Sequence, residues 1–289
     1  MLCIGISASA AELTDISNYE FEKEIVTLQA LGIIEGDETG KFNPMEPVKR
    51  SEAAKLLMTA FSYDGIEYQQ TETEFSDVSA DHWASGYIQA ATEIGYIAGM
   101  GDGTYMPDAE ITFEQACTLI VRALGYDLFA ENYGGYPTGH MMYANDLDLI
   151  DKLDLSNEDT VTRGELAYML AQAMEAPTVE VVYGFMLSIM QGNGVNYVCP
   201  MSKYHNAYWV NGTITATPRS SQAVQSGWVD IEVIYARRLG DEYINNTPTT
   251  FRCRTVDGDA TVNELLLMRG DFILKETDEG EYTVIMIVV

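Results

Sequence analysis

The sequence predicts an α+β protein of more than one domain, with an all-helical repeat array up to residue 176 and a small all-β, barrel-like domain over 177–289. Three observations lead there. The chain matches itself when shifted by 63 residues. Beyond Ala176-Pro177-Thr178 the apolar residues change from helical to strand-like spacing. Acid is also uneven: residues 1–176 carry 8 Lys and Arg against 31 Asp and Glu, whereas residues 177–289 carry 8 against 13. The expected divisions are 1–11, 12–70, 71–127, 128–176 and 177–289.

The formal charge of −28 excludes some functions. A nucleic-acid binder needs a basic surface to replace counterions, and an anionic membrane surface attracts Lys and Arg. An acidic face is first a solvating device. A life among wall polymers and divalent cations is the functional alternative. The chain holds no apolar run long enough to span a membrane.

Residues 1–11 read as the tail of a secretory signal. Ala8-Ser9-Ala10 fits the small-residue cleavage pattern, although the apolar stretch before it is short and has no basic flank. Of the cysteines, Cys117 falls on the apolar face of a helix, and Cys199 and Cys253 form the one pairing open to the C-terminal part. Without a C-x-x-C and with three scattered histidines (His82, His140, His205), no zinc site is expected.

The repeat unit is a helix, a loop and a second helix. Gly32-Ile33-Ile34-Glu35-Gly36 answers Gly95-Tyr96-Ile97-Ala98-Gly99, and Gly40-Lys41-Phe42-Asn43-Pro44 answers Gly103-Thr104-Tyr105-Met106-Pro107. Upstream, Asp15-Ile16-Ser17 answers Asp77-Val78-Ser79. The first helix carries Ile25, Leu28 and Leu31, or Ile88, Ala91 and Ile94, and ends at a glycine in the C-cap position. Phe42 or Tyr105 plugs the loop into the core. A third, weaker copy has Leu149-Ile150 and Val161-Thr162-Arg163-Gly164-Glu165 but lacks the aromatic turn. There Thr162 and Glu165 have the spacing of a capping box. One such unit cannot bury its own apolar face; three can around a shared axis.

These motifs resemble the S-layer homology family. The second copy carries the upstream pattern as Phe75-Ser76-Asp77-Val78 and His82-Trp83-Ala84, and the resemblance runs from Leu13 to Glu175. It implies a pseudo-threefold helical bundle that binds secondary cell-wall polysaccharide, often bearing a pyruvate ketal, attached to peptidoglycan. The family's anion-contacting arginine falls on Arg50 and Arg163. The physics agrees, since a guanidinium matches a carboxylate bidentately and a helix's first turn favours an anion. Glu52, Glu165 and Thr162 complete the candidate ligand-binding set, with helix capping as their plainer reading. Trp83 is the candidate sugar platform, although a core aromatic is the simpler expectation for it. Phe113 stands where the second copy should carry arginine, so at most two grooves look competent. Asp37-Glu38 and Asp102 do not fit a calcium-loop spacing.

Beyond the linker, strands are expected at Val179–Val182, Tyr208–Thr217, Val229–Ala236 and Thr249–Thr255. A hairpin is expected from Phe272–Lys275 and Tyr282–Val288. Phe185–Met190 reads as helix or strand, and Asn263–Met268 as one helical turn. The order suggests an OB-like or SH3-like barrel. Its tyrosines and tryptophans (Tyr197, Tyr204, Tyr208, Trp209, Trp228) are first a barrel's aromatic load and only then a binding cluster.

No catalytic motif is present: no G-x-S-x-G, H-E-x-x-H or P-loop, and no carboxylate pair with a surrounding motif. The expectation is therefore a secreted, surface-attached protein that is not an enzyme, with no cofactor and no metal. Its partners would be wall polysaccharide and peptidoglycan, with itself or another surface protein as a further candidate. A surface-layer assembly protein, whose β domain self-associates, is the alternative reading. A wall-active enzyme ranks third.

Overall fold

The computed structural model describes residues 3–5, 13–62, 67–182, 185–188, 190–191, 196–239, 242–255, 263–277 and 280–288. The fold is mixed α+β. The chain divides into two compact units, one of residues 14–25 and 41–200, the other of 1–13, 26–40 and 201–289. Helix α1 (Glu22–Ala30) gives its first residues to the former and the rest to the latter. The former unit is mainly helical. It holds α2 (Arg50–Ala60), α3 (Ser85–Glu93), α4 (Phe113–Ala123), α5 (Asp127–Asn132), α6 (Thr138–Asp146) and α7 (Arg163–Glu175). Two short antiparallel pairs follow, β2 (Val179–Val182) with β3 (Phe185–Ser188) and β4 (Met190–Gln191) with β5 (Asn196–Tyr197).

The helical unit is organised by a cycle of backbone hydrogen bonds. The amide of Val48 donates to Val161 O at 2.9 Å, Val161 N to Ile111 O at 3.1 Å, and Ile111 N to Val48 O at 2.9 Å. All three valine and isoleucine side chains are fully buried. Each residue lies two positions ahead of a helix, so the cycle fixes where α2, α4 and α7 begin. The orphan amides of those helices are satisfied by loops in the opposite cyclic sense. Arg50 N and Ser51 N donate to Ala109 O and Pro107 O, Phe113 N and Glu114 N to Asp159 O and Asn157 O, and Arg163 N and Gly164 N to Glu46 O and Pro44 O.

The helices that precede these loops end alike. Ile33 N donates to Leu28 O, Tyr96 N to Ala91 O and Leu149 N to Ala144 O, each five residues back, as in a Schellman cap. The left-handed residue of that cap is Gly32 or Gly95 in two cases and Asp148 (φ 57°) in the other. The aromatic turns are also alike. The carboxylate of Asp15 accepts the amides of Phe42 and Asn43 at 2.8 and 2.7 Å, and Asp77 accepts those of Tyr105 and Met106 at the same distances. These carboxylates hold Asn43 (φ 57°) and Met106 (φ 58°) in the left-handed region ahead of each proline. Phe42 and Tyr105 are buried, as expected of a plug.

In the other unit, β6 (Ala207–Ala216), β7 (Trp228–Leu239), β8 (Glu242–Thr255), β9 (Arg269–Glu276) and β10 (Tyr282–Val288) form one sheet, and β1 (Cys3–Gly5) pairs with β10. The ladder closes on itself: β6 pairs with β7, β7 with β8, β8 with β10, β10 with β9, and β9 with β6. Only β8–β10 is parallel among these pairs. Alternate residues Val229, Ile231 and Val233 turn into the core with Val210, Ile214, Phe272, Leu274 and Val284. The run Val284–Val288 is buried on both faces. The hydroxyl of Thr27, on α1, reaches Met286 Sδ at 3.4 Å. A short α8 (Pro200–His205) precedes β6.

The expected strands and the β9–β10 hairpin are present, Phe185–Ser188 is strand, and Asn263–Leu267 makes a short helical turn. One expectation is corrected. Trp83 is 48% exposed, because the segment before α3 turns its ring outward onto His82 (centroids 5.9 Å apart). The pairing left open for Cys199 and Cys253 is not made: no disulfide joins them, and Cys253 is packed wholly into the barrel core. Cys117 is buried as expected. The side chain of Tyr197 lies outside the described residues.

Candidate functional site

The site is built where α2 meets the aromatic turn of the next copy. Arg50 opens α2, and its side chain crosses to residues 98–115. Its Nε donates to Tyr105 O at 2.8 Å, Nη1 to Gln115 Oε1 at 2.9 Å and Nη2 to Ala98 O at 3.4 Å. The guanidinium lies 4.6 Å from the centre of the Tyr105 ring, whose hydroxyl donates back to Arg50 O at 3.0 Å. Only 7% of the residue remains exposed. Burial pushes the Tyr105 hydroxyl up to about 12, against the opposing charge of Arg50.

Beside Arg50 an open cleft of about 240 Å³ is lined by Ala98, Gly99, Met100, Gln115, Thr118, Leu119, Arg122 and Tyr136. Gly99 is required there, since a Cβ would lie 2.5 Å from the Phe75 ring and 2.7 Å from Thr104 O. Tyr136 is half exposed; its hydroxyl donates to Glu114 Oε1 at 2.6 Å and also bonds Gln115. Its hydroxyl is pushed up to about 12, first by burial, then by the Glu114 bond and charge.

Arg163 occupies the corresponding place at the start of α7. Its Nε donates to Phe42 O at 2.8 Å, with the guanidinium 4.7 Å from the ring centre. Tyr19 lies over Gly164: a Cβ there would sit 2.2 Å from the tyrosine oxygen. Burial raises the Tyr19 hydroxyl, helped by the charge of Glu165 and opposed by a hydrogen bond with Thr162. Thr162 and Glu165 form a capping box, with Thr162 N on Glu165 Oε2 at 2.8 Å and Glu165 N on Thr162 Oγ1 at 3.4 Å. Glu52 likewise accepts the Lys49 amide at 2.9 Å.

The structure thus brings Arg50 into one cleft and groups Arg163 with Thr162 and Glu165. Trp83 does not line the Arg50 cleft. Sequence reasoning passed over Gln115, Arg122 and Tyr136. The available signal was a basic residue, Arg122, in the last turn of α4 within an otherwise acidic half of the chain. Asp127, Glu131 and His140 bring ligand-type atoms within 4.8 Å of one another. Asp127 Oδ1 already accepts Arg122 Nε and meets His140 Nε2, both at 2.9 Å, so a cation there would face a guanidinium.

The S-layer homology domain family matches residues 12–54 and 74–117. Over 234 residues (80% of the chain) the sequence is 29% identical to a cell surface protein of Thermoanaerobacter kivui, covering 28% of that protein. It is 28% identical over 164 residues (56% of the chain) to the middle cell wall protein of Brevibacillus brevis, covering 15% of it. A surface layer protein of Brevibacillus choshinensis is 33% identical over 107 residues, 37% of the chain and 10% of the relative. The chain therefore spans less than a third of the length of each of these relatives. The two matched domains and these relatives mark the chain as a cell-surface protein. None of its described helices is long and apolar enough to cross a membrane.

Proposed function

We propose that this chain holds a protein at the bacterial cell surface by non-covalent binding of an acidic secondary cell-wall polysaccharide, in clefts between S-layer homology repeats. The carrying observation is the cleft at Arg50, which forms where α2 of the first matched segment meets the turn of the second. An open cleft with guanidinium groups in its lining suits a carboxylate-bearing sugar.

Residues 128–176 serve as a divergent third repeat. The cap at Asp148 and the closed cycle through Val161 support that reading, and with it a pseudo-threefold bundle. The domain bounds 12–70, 71–127 and 128–176 follow from it. The strand order of the other unit, with its parallel β8–β10 pair, supports an OB-like barrel. In this reading the chain attaches and does not catalyse.

The test is co-sedimentation of the full chain with purified sacculi, before and after chemical removal of the polysaccharide. Binding lost with the polymer supports the reading; binding that survives its removal, or no binding at all, sinks it.

A further inference from the structure

Two arginines line the Arg50 cleft, and they are committed differently. Arg50 spends Nε and Nη1 on short bonds to acceptors of the neighbouring copy, with Nη2 3.4 Å from a third, Ala98 O. Arg122, on α4, lines the same cleft, and its Nε is held by Asp127. Its two Nη atoms have no hydrogen-bond partner among the described residues, and its side chain is 19% exposed. A guanidinium held at Nε and open at both Nη atoms is pre-set to take the two oxygens of a carboxylate. Tyr136 lies on the same cleft, half exposed, with its hydroxyl fixed on Glu114 so that the ring is held in place. A ring anchored in this way gives a pyranose an apolar face to stack on. Of the acids nearby, Glu114 is engaged by the Tyr136 hydroxyl and Asp127 by Arg122 and His140, while Glu131 is exposed beside Asp127.

Arg122 lies outside the repeat motifs, whereas Tyr136, two residues ahead of α6, takes the place that Trp83 takes two residues ahead of α3. By the 63-residue shift, Arg122 falls on Thr59 of the first copy, and Tyr136 lies in the connection between α5 and α6.

We infer that Arg122 is the carboxylate-binding residue of this cleft and Tyr136 its sugar platform, while Arg50 is a positioning residue that ties the two copies together beside it. The inference rests on the wall-polysaccharide reading and names the residues that would carry it.

The test uses the full chain and two soluble probes. One is a methyl N-acetylhexosaminide bearing a pyruvate ketal; the other is its isopropylidene ketal, which has the same shape without the carboxylate. Binding is measured by calorimetric titration, and each variant's melting temperature is recorded. The wild type is expected to prefer the acidic probe by about tenfold or more. Arg122→Gln should lose that preference, and Arg122→Lys should recover part of it. Tyr136→Ala should weaken both probes alike, whereas Tyr136→Phe should stay near wild type. Arg50→Gln should lower the melting temperature yet leave a preference in the fraction that stays folded.

If Arg122→Gln keeps the preference and Arg50→Gln abolishes it, the assignment is reversed. Equal binding of both probes by the wild type, or binding of neither, also overturns it. Sedimentation with sacculi is scored separately, so a wild type that sediments but ignores both probes defeats this inference and leaves wall attachment standing.

Discussion

The arrangement around Arg50 makes a quantitative demand on stability. Arg50→Met keeps the length and apolar stem of the side chain and removes its guanidinium. Two short charge-assisted bonds disappear, to Tyr105 O and Gln115 Oε1; the third, at 3.4 Å, is too long to count for much. Each short bond is worth about 1.5–3 kcal/mol, and the contact with the Tyr105 ring about 0.5–2 kcal/mol. Opposing this, methionine escapes the several-kcal/mol cost of keeping a cation out of water. Gln115 can turn to the Thr112 amide, already 3.5 Å away, so a single buried acceptor, Tyr105 O, is left bare. The net loss is about 2–4 kcal/mol, or roughly 5–15 °C in melting temperature for a unit of this size. Arg163→Met removes one bond and one ring contact from a half-buried residue and should lose about 1–2 kcal/mol. Thermal unfolding followed by helical circular dichroism compares the two. An Arg50→Met melt within 2 °C of wild type, or a drop smaller than that of Arg163→Met, would refute the claim that Arg50 locks one copy to the next.

Three further outcomes follow from the same geometry. Burial raises the Asp127 carboxyl, but bonds and charge from His140 and Arg122 outweigh it and hold it below the usual range; its stabilisation is therefore complete above its unfolded value near 4 and lost as pH falls through the lower folded value. Asp127→Asn should lose about 0.5–1 kcal/mol at neutral pH, discounted for partial exposure, and show a shallower acid transition; identical acid melts would contradict this. Gly139→Ala should cost about 1–3 kcal/mol in urea denaturation, because its Cβ would meet Ala130 O at 2.0 Å where α5 packs on α6, and an unchanged midpoint would count against that packing. In a Cys3→Ser background, Cys199 should react with a thiol reagent while Cys117 and Cys253 stay silent until unfolding, since burial pushes both thiols to about 12; equal rates for all three would argue against their burial.

What could be read from the sequence, and what could not, divides by the range of the interactions. The helix ends at Gly32 and Gly95, the plugs Phe42 and Tyr105, and the β9–β10 hairpin are set by residues close in the chain, so periodicity and turn chemistry reveal them. Trp83 went astray because its burial depends on which way an irregular segment turns, which no local pattern fixes. The cleft was legible only at Arg50. Tyr136 lies 86 residues away in the divergent third copy, where no Trp marks the place, and Arg122 sits on a helix whose motif marks its first turn, not its last. A repeat pattern reports what the copies share, whereas the residues that complete one particular cleft are those the copies do not share.

The same cycle accounts for the departures from the repeat pattern. In each of the two complete latches, an arginine from one copy donates to the carbonyl of the aromatic residue in the next copy's turn: Arg50 to Tyr105 O, and Arg163 to Phe42 O. By that order an arginine at position 113 would need an aromatic turn in residues 151–160, and that loop has none. A guanidinium there would lack both its ring and its carbonyl, and a buried cation without acceptors is strongly destabilising. Phe113, 3% exposed, fills the place with an apolar ring, while its amide still takes Asp159 O at 2.9 Å. The missing arginine of one copy and the missing turn of the next are one physical event at one interface. Arginine and turn form a unit that is kept or lost whole.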